Sequence, residues 1–173
     1  LQHRITLGYA VQKRRLLLFC KFFERDSFEI AHSHCRLLHL LYYLFFRHAE
    51  QIRRVSGDEP YILACINIEN YRMIEEKYGD FLCDSVVEYC ARQIEKRIPG
   101  LAVAGRLGED DFVVMCHEFP EEGRDALLYK VRHEAPVPNL VIKIGYAKVD
   151  KETSMRVLCD HAQCAINKIR QIY

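Results

Sequence analysis

The chain has no excess of charge of either sign, with 25 Lys plus Arg against 24 Asp plus Glu in 173 residues. That balance removes the polycationic surface on which non-specific nucleic-acid binding depends, so nucleic acid is not an expected partner. It also lacks a run apolar enough to cross a bilayer. The most hydrophobic stretch, Leu37 to Phe46, is about ten residues long between Arg36 and Arg47, roughly half of what a spanning helix needs, and reads as a core helix. There is no CxxC. The eight cysteines (Cys20, Cys35, Cys65, Cys83, Cys90, Cys116, Cys159 and Cys164) fall mostly inside apolar strand or helix patterns. Buried reduced thiols fit that placement better than a disulfide framework or a zinc site, and they point to a reducing compartment, the cytoplasm. His32 and His34 stand two apart, on different sides of a helix, and make a poor metal pair. No signal-peptide pattern, internal repeat or low-complexity segment is present, and a chain opening at Leu1 reads as a piece of a longer protein.

What is there is a core-forming sequence: half the residues are apolar, and the length suits one domain plus an extra helix. Over residues 1–24, Ile5, Tyr9, Gln12, Leu16, Phe19 and Phe23 recur at steps of four and three, with Lys13, Arg14 and Arg15 outside. The pattern suits the seam of a short coiled coil or one amphipathic helix lying on its own domain. Asp26 followed by Glu29 resembles a capping box opening a second helix, with Leu37, Leu41, Leu44, His48 and Ile52 along one face. Ser56-Gly57-Asp58-Glu59-Pro60 ends it. Then follow a strand over 61–68, helices over 71–78 and 81–98, a hairpin over 101–117, a helix near 121–134, a strand over 139–147 and a helix over 153–171. The second of those helices would bury Leu82, Val86, Cys90, Ile94 and Ile98. This order predicts an α+β layer sandwich of ferredoxin-like or palm type, a central antiparallel sheet flanked by helices with a helix at its N-terminal end.

The chemistry concentrates at Arg106-Leu107-Gly108-Glu109-Asp110-Asp111-Phe112, three consecutive carboxylates on a turn between Ala102-Val103-Ala104 and Phe112-Val113-Val114-Met115-Cys116. Like charges this close repel, and a bound cation would relieve them; a solvated acidic hairpin tip is the other reading. The turn resembles the signature hairpin of GGDEF domains, the diguanylate cyclase family, with RLGEDDF where the family has Arg-x-Gly-Gly-Asp/Glu-Glu-Phe. Ile62 to Ile68 with Tyr71-Arg72 resembles the family's first strand and phosphate loop. Tyr78-Gly79 with Asp84, the strand Lys143 to Ala147 and the helix Ala162 to Arg170 resemble three further segments in order. The match is close over about 55–173 and weak over 26–54.

The resemblance implies a GTP-dependent cyclase site on Mg²⁺, and this sequence departs from it at several positions. Asn67 stands at the family's first-strand metal Asp, and an amide coordinates Mg²⁺ far more weakly than a carboxylate. Asp110 keeps the hairpin metal ligand and Asp111 the second acidic position, so these two are the catalytic candidates within the signature Gly108, Glu109, Asp110, Asp111 and Phe112. Glu109 replaces a glycine, adding bulk and charge beside phosphates. Glu69 could lend a carboxylate. Among the nucleotide-binding positions, Asn67, Tyr71, Arg72, Glu75, Asp84 and Arg170, the guanine-reading Asn has become Glu75, its partner Asp84 is kept, and Arg72 and Arg170 keep the phosphate-binding charge. The RxxD inhibition site would fall at Pro99 and Ala102, and both side chains are missing.

The sequence therefore predicts an N-terminal signalling or dimerisation helix over 1–25 and a degenerate GGDEF domain over 26–173. It is expected to be inactive as a diguanylate cyclase and to serve a cyclic di-GMP-type signalling protein as a regulatory module. A slow or unconventional cyclase using Asp110, Asp111 and Glu69, and a GTP-binding allosteric domain without turnover, are the alternatives. No cofactor is certain; Mg²⁺ and GTP follow if nucleotide binding is kept. The expected partners are a second copy of the chain and fused domains, a sensor or an EAL-type phosphodiesterase, with no membrane contact within this segment.

Overall fold

The computed structural model describes residues 6–12, 15–21, 29–98, 101–117 and 121–170, with side chains from residue 41 onward save 121 and 168–170. Strand β3 (Tyr61–Ile68) organises it. Its residues are apolar almost without interruption because both faces are covered. Tyr61, Leu63 and Cys65 face α1 (Glu29–Val55) and α5 (Met155–Arg170), while Ala64, Ile66 and Ile68 face α2 (Tyr71–Tyr78), α3 (Asp80–Arg97) and α4 (Glu121–Glu134). On its edges β3 pairs antiparallel with β5 (Asp111–His117) and with β6 (Ile142–Lys148), and β5 pairs antiparallel with β4 (Ala102–Arg106). Four antiparallel strands between two helical layers make the α+β sandwich that the sequence predicts.

The first 24 residues depart from expectation. In place of the expected helix, β1 (Thr6–Gln12) and β2 (Arg15–Lys21) pair antiparallel, and β2 runs parallel to β4, giving the order β1-β2-β4-β5-β3-β6. The reason lies in β4, whose outer edge would otherwise leave Ala102 to Gly105 without hydrogen-bond partners. Both short runs are rich in strand-forming residues, and three heptads are few enough for a spacing of four and three to arise by composition alone. The helix at the N-terminal end of the sandwich is α1. Its buried stripe is Leu41, Phe45, Phe46, Ala49 and Ile52, so Leu44 and His48 lie at the margin of the stripe expected from sequence. The capping residue Asp26, the His32–His34 side chains and Pro99 lie outside the described residues.

Elsewhere the elements match the predicted ones to within a few residues. Strand β6 starts three residues late because Asn139 takes a left-handed conformation, φ 57°. Helix α3 follows Gly79, φ 77°, which separates it from α2. The closest approach is between β6 and α5: a Cβ built on Gly145 would lie 2.0 Å from the Ala162 carbonyl oxygen and 2.9 Å from Ile166 Cγ1. Only a residue without a side chain lets this helix seat on the sheet. Of the described cysteines, Cys65, Cys83, Cys90, Cys116 and Cys159 are buried and Cys164 is exposed. Burial pushes the Cys90 and Cys116 thiols up to about 12.

Two outcomes follow from this packing. Gly145→Ala should lower the unfolding free energy by at least about 2 kcal/mol in urea titration, and an unchanged midpoint would mean that α5 can lift off the sheet without loss. Iodoacetamide on the native protein at neutral pH should modify Cys164 and spare Cys65, Cys83, Cys90, Cys116 and Cys159 until denaturant is added, as peptide mass analysis would read.

Candidate functional site

The acidic hairpin is fastened to the end of β3 through its backbone. Asn67 pairs in register with Asp111. The Ile68 amide donates to the Asp110 carbonyl and the Leu107 amide to the Asp111 carbonyl, each at 2.9 Å. Arg106, the last residue of β4, fills the inside of the bend: its Nε donates to the Gly108 carbonyl at 2.7 Å and its Nη2 to the Glu109 carbonyl. A guanidinium satisfying two loop carbonyls sets the loop's shape, and glycine is not sterically required at 108, where a Cβ would meet Asp111 Oδ2 at an ordinary 3.7 Å. Glu109 is exposed at the tip.

The side chains meet at Asn67, which is only 8% exposed. Its Nδ2 donates to Asp110 Oδ2 at 3.0 Å and to Asp111 Oδ1 at 2.8 Å. Ionised carboxylates only accept, so the amide nitrogen and not its oxygen must face them. The partly positive NH₂ group thus lies between two negative side chains, where a cation would have been expected to relieve their repulsion. Two residues on, Glu69 Oε2 lies 2.7 Å from Lys143 Nζ, and Lys143 is the register partner of Asn67 on β6. Among the described residues no three His, Cys, Asp or Glu side chains gather as a metal site. The donor set here does not fit Mg²⁺, which would have to displace a buried amide from both carboxylates.

A second group forms where α2 and α3 begin. Tyr71 is buried, and burial holds its phenol above the usual range; the Cys83 thiol, Glu75 and Asp84 push the same way while the Arg106 guanidinium pulls it down. Glu75 is half-buried, and Asp84 and Arg72 are exposed. Among the described residues no ion pair holds Arg72. Arg170 is the last residue of α5, and its side chain lies outside the described ones.

Asn67, Asp110 and Asp111 are thus in direct contact, Glu75, Asp84 and Arg106 are near enough to Tyr71 to act on its phenol, and Arg72 is exposed on the surface. Beneath Asn67, on the same face of β3, the Cys65 and Cys159 sulfurs lie 3.5 Å apart. The bond from Cys65 to the Cys159 sulfur, together with burial, keeps the Cys65 thiol protonated well above its usual range. Sequence reasoning gave no role to Arg106, Lys143 or this thiol pair. Arg106 could have been singled out as the lone cation beside the three carboxylates, whereas the pairing of Glu69 with Lys143 depends on a register between distant strands.

The molecule's relatives agree with its architecture. A sensory box/GGDEF family protein from Caulobacter crescentus superposes with a TM-score of 0.61 at 15% identity, over 80% of this chain and 92% of that one. The FimX GGDEF domain from Pseudomonas aeruginosa gives 0.62 at 18% identity, over 76% and 87%. The active GGEEF domain of a diguanylate cyclase from Vibrio cholerae gives 0.58 at 17% identity, over 77% and 89%. At these identities the likeness concerns the fold. No curated protein matches the chain. The family model described as diguanylate cyclase, GGDEF domain, matches residues 42–172, three quarters of the sequence, and the chain belongs to the GGDEF domain family of cyclic di-GMP signalling proteins.

Proposed function

We propose that this GGDEF domain has lost, or nearly lost, diguanylate cyclase activity and works as a regulatory or dimerisation module of a longer cytoplasmic signalling protein. The observation that carries the reading is the Asn67 amide between Asp110 and Asp111. Joining two GTP molecules places negative charge on transferring phosphoryl groups, and cations normally neutralise it. Here the carboxylates that would hold such cations are already engaged by a neutral donor. The roles of Asp110 and Asp111 in catalysis, of Asp110 in metal holding, and of Tyr71, Arg72, Glu75, Asp84 and Arg170 in nucleotide contact belong to this proposal as vestiges of the family's site. The absent RxxD pair at Pro99 and Ala102 argues in the same direction for product feedback.

A second reading, GTP bound as an allosteric ligand without turnover, is favoured by one feature: Asp84 and Glu75 remain grouped about Tyr71 and Arg106, and Arg72 is exposed nearby in sequence. Fusion to a sensor domain or an EAL-type phosphodiesterase is part of the same proposal, and a similar structure is that of an EAL/GGDEF domain protein from M. capsulatus. So is homodimerisation. Phe81 and Met73 at the start of α3 and on α2 are 86% and 66% exposed, apolar surface beside the base-reading group.

Incubated with GTP and Mg²⁺, the purified chain should make no cyclic di-GMP above a no-protein control by chromatography. Product that disappears in Asp110→Ala would overturn the inactive reading and locate the chemistry on the hairpin. Calorimetric heat of GTP binding without product would select the allosteric reading. Light scattering should give the mass of a dimer, reduced in Phe81→Ser; a monomer at every concentration would refute the dimer.

A further inference from the structure

We infer that the signature hairpin takes no divalent metal because the neighbouring strands already engage the carboxylates at this end of the sheet: the Asn67 carboxamide bridges Asp110 and Asp111, and the Lys143 ammonium pairs with Glu69. This deepens the proposed loss of cyclase chemistry and rests on the same site, but it concerns the protein without nucleotide.

Apart from the exposed Glu109 at the tip, three carboxylates lie at this end of the sheet, those of Glu69, Asp110 and Asp111. Each has a positive or partly positive group of the chain beside it. Nδ2 of Asn67 lies 3.0 Å from Asp110 Oδ2 and 2.8 Å from Asp111 Oδ1, and Nζ of Lys143 lies 2.7 Å from Glu69 Oε2. Arg106 adds a second full positive charge, turned to the loop carbonyls of Gly108 and Glu109. A hard cation entering here would have to shed water and displace the buried Asn67 amide from both carboxylates. The next residue inward on that face is Cys65, packed on Cys159. The amide does with fixed dipoles what a metal would do with charge: it holds the hairpin against β3 while keeping two like charges apart. A carboxylate at position 67 would reverse this, placing a third negative oxygen within hydrogen-bond distance of the other two and making the hairpin dependent on a cation.

The test uses the intact chain without nucleotide. With chelator exchanged for about 5 mM Mg²⁺ or Mn²⁺, the wild-type melting temperature should stay within about 1 °C, because a ligand that does not bind the native state cannot shift its stability. Paramagnetic Mn²⁺ should cause no selective broadening of the Asp110 and Asp111 amide resonances. Asn67→Asp in chelator should melt at least about 4 °C lower than wild type, recover most of that loss on adding Mg²⁺, and show Mn²⁺ broadening confined to residues 67, 110 and 111. Lys143→Gln, which leaves the Asn67 bridge in place, should lose stability that Mg²⁺ does not restore. Stabilisation of wild type by Mg²⁺, or selective Mn²⁺ broadening of its hairpin, overturns the inference. So does an Asn67→Asp protein as stable in chelator as wild type. If Asn67→Asp folds in neither condition, the wild-type Mn²⁺ spectrum alone decides. A hairpin that binds Mn²⁺ in a protein still unable to make cyclic di-GMP would refute this inference while leaving the proposed loss of activity standing.

Discussion

Strand β3 has no free side, and everything else is arranged to keep it so. Helices close both faces, β5 and β6 close both edges, and its seven apolar residues leave Asn67 as the one polar side chain of the strand. A polar group in such a place must find partners or cost about 1–3 kcal/mol. The hairpin between β4 and β5 delivers them. The packing of the core and the electrostatics of the candidate site are therefore one problem: the strand end is buried, so its polar residue decides how the hairpin carboxylates are held.

That dependence explains why one change of residue type has so wide an effect. Carboxylate to carboxamide at position 67 alters little in volume, and the β3–β5 register tolerates it. What changes is the group facing Asp110 and Asp111, from a further negative oxygen to a partly positive NH₂. Lys143 sets a full positive charge beside Glu69 from the neighbouring strand. Fold and site draw on different atoms of the same residues, so the fold by itself does not fix the chemistry of the site.

Much of this was legible in the sequence, for reasons particular to each element. Helix α4 and strand β3 could be bounded closely because apolar periodicity changes sharply at their ends, and the hairpin announced itself through three carboxylates between two apolar runs. The N-terminal residues misled because dense apolar runs satisfy helical and extended spacing alike, and the deciding factor, the open edge of β4, lies some eighty residues away. At the site, Asn67 was identifiable as a substitution, but which of its amide atoms faces the carboxylates was not, for that depends on Asp110 and Asp111 arriving from another strand. Glu109 looked from sequence like an obstruction; folded, it is exposed at the tip, and its carbonyl is what Arg106 uses.

The two backbone bonds at the hairpin, Ile68 amide to Asp110 carbonyl and Leu107 amide to Asp111 carbonyl, bear on how the site can move. They continue the sheet's own ladder into the loop, so the carboxylates are not mounted on a flap with a hinge of its own. Any excursion that carries Asp110 away from Asn67 has to unzip the end of β3 first, and the timescale of that opening is set by local unfolding of the sheet and not by the rotation of side chains. Motion at this site is, in that sense, a property of the β-sheet.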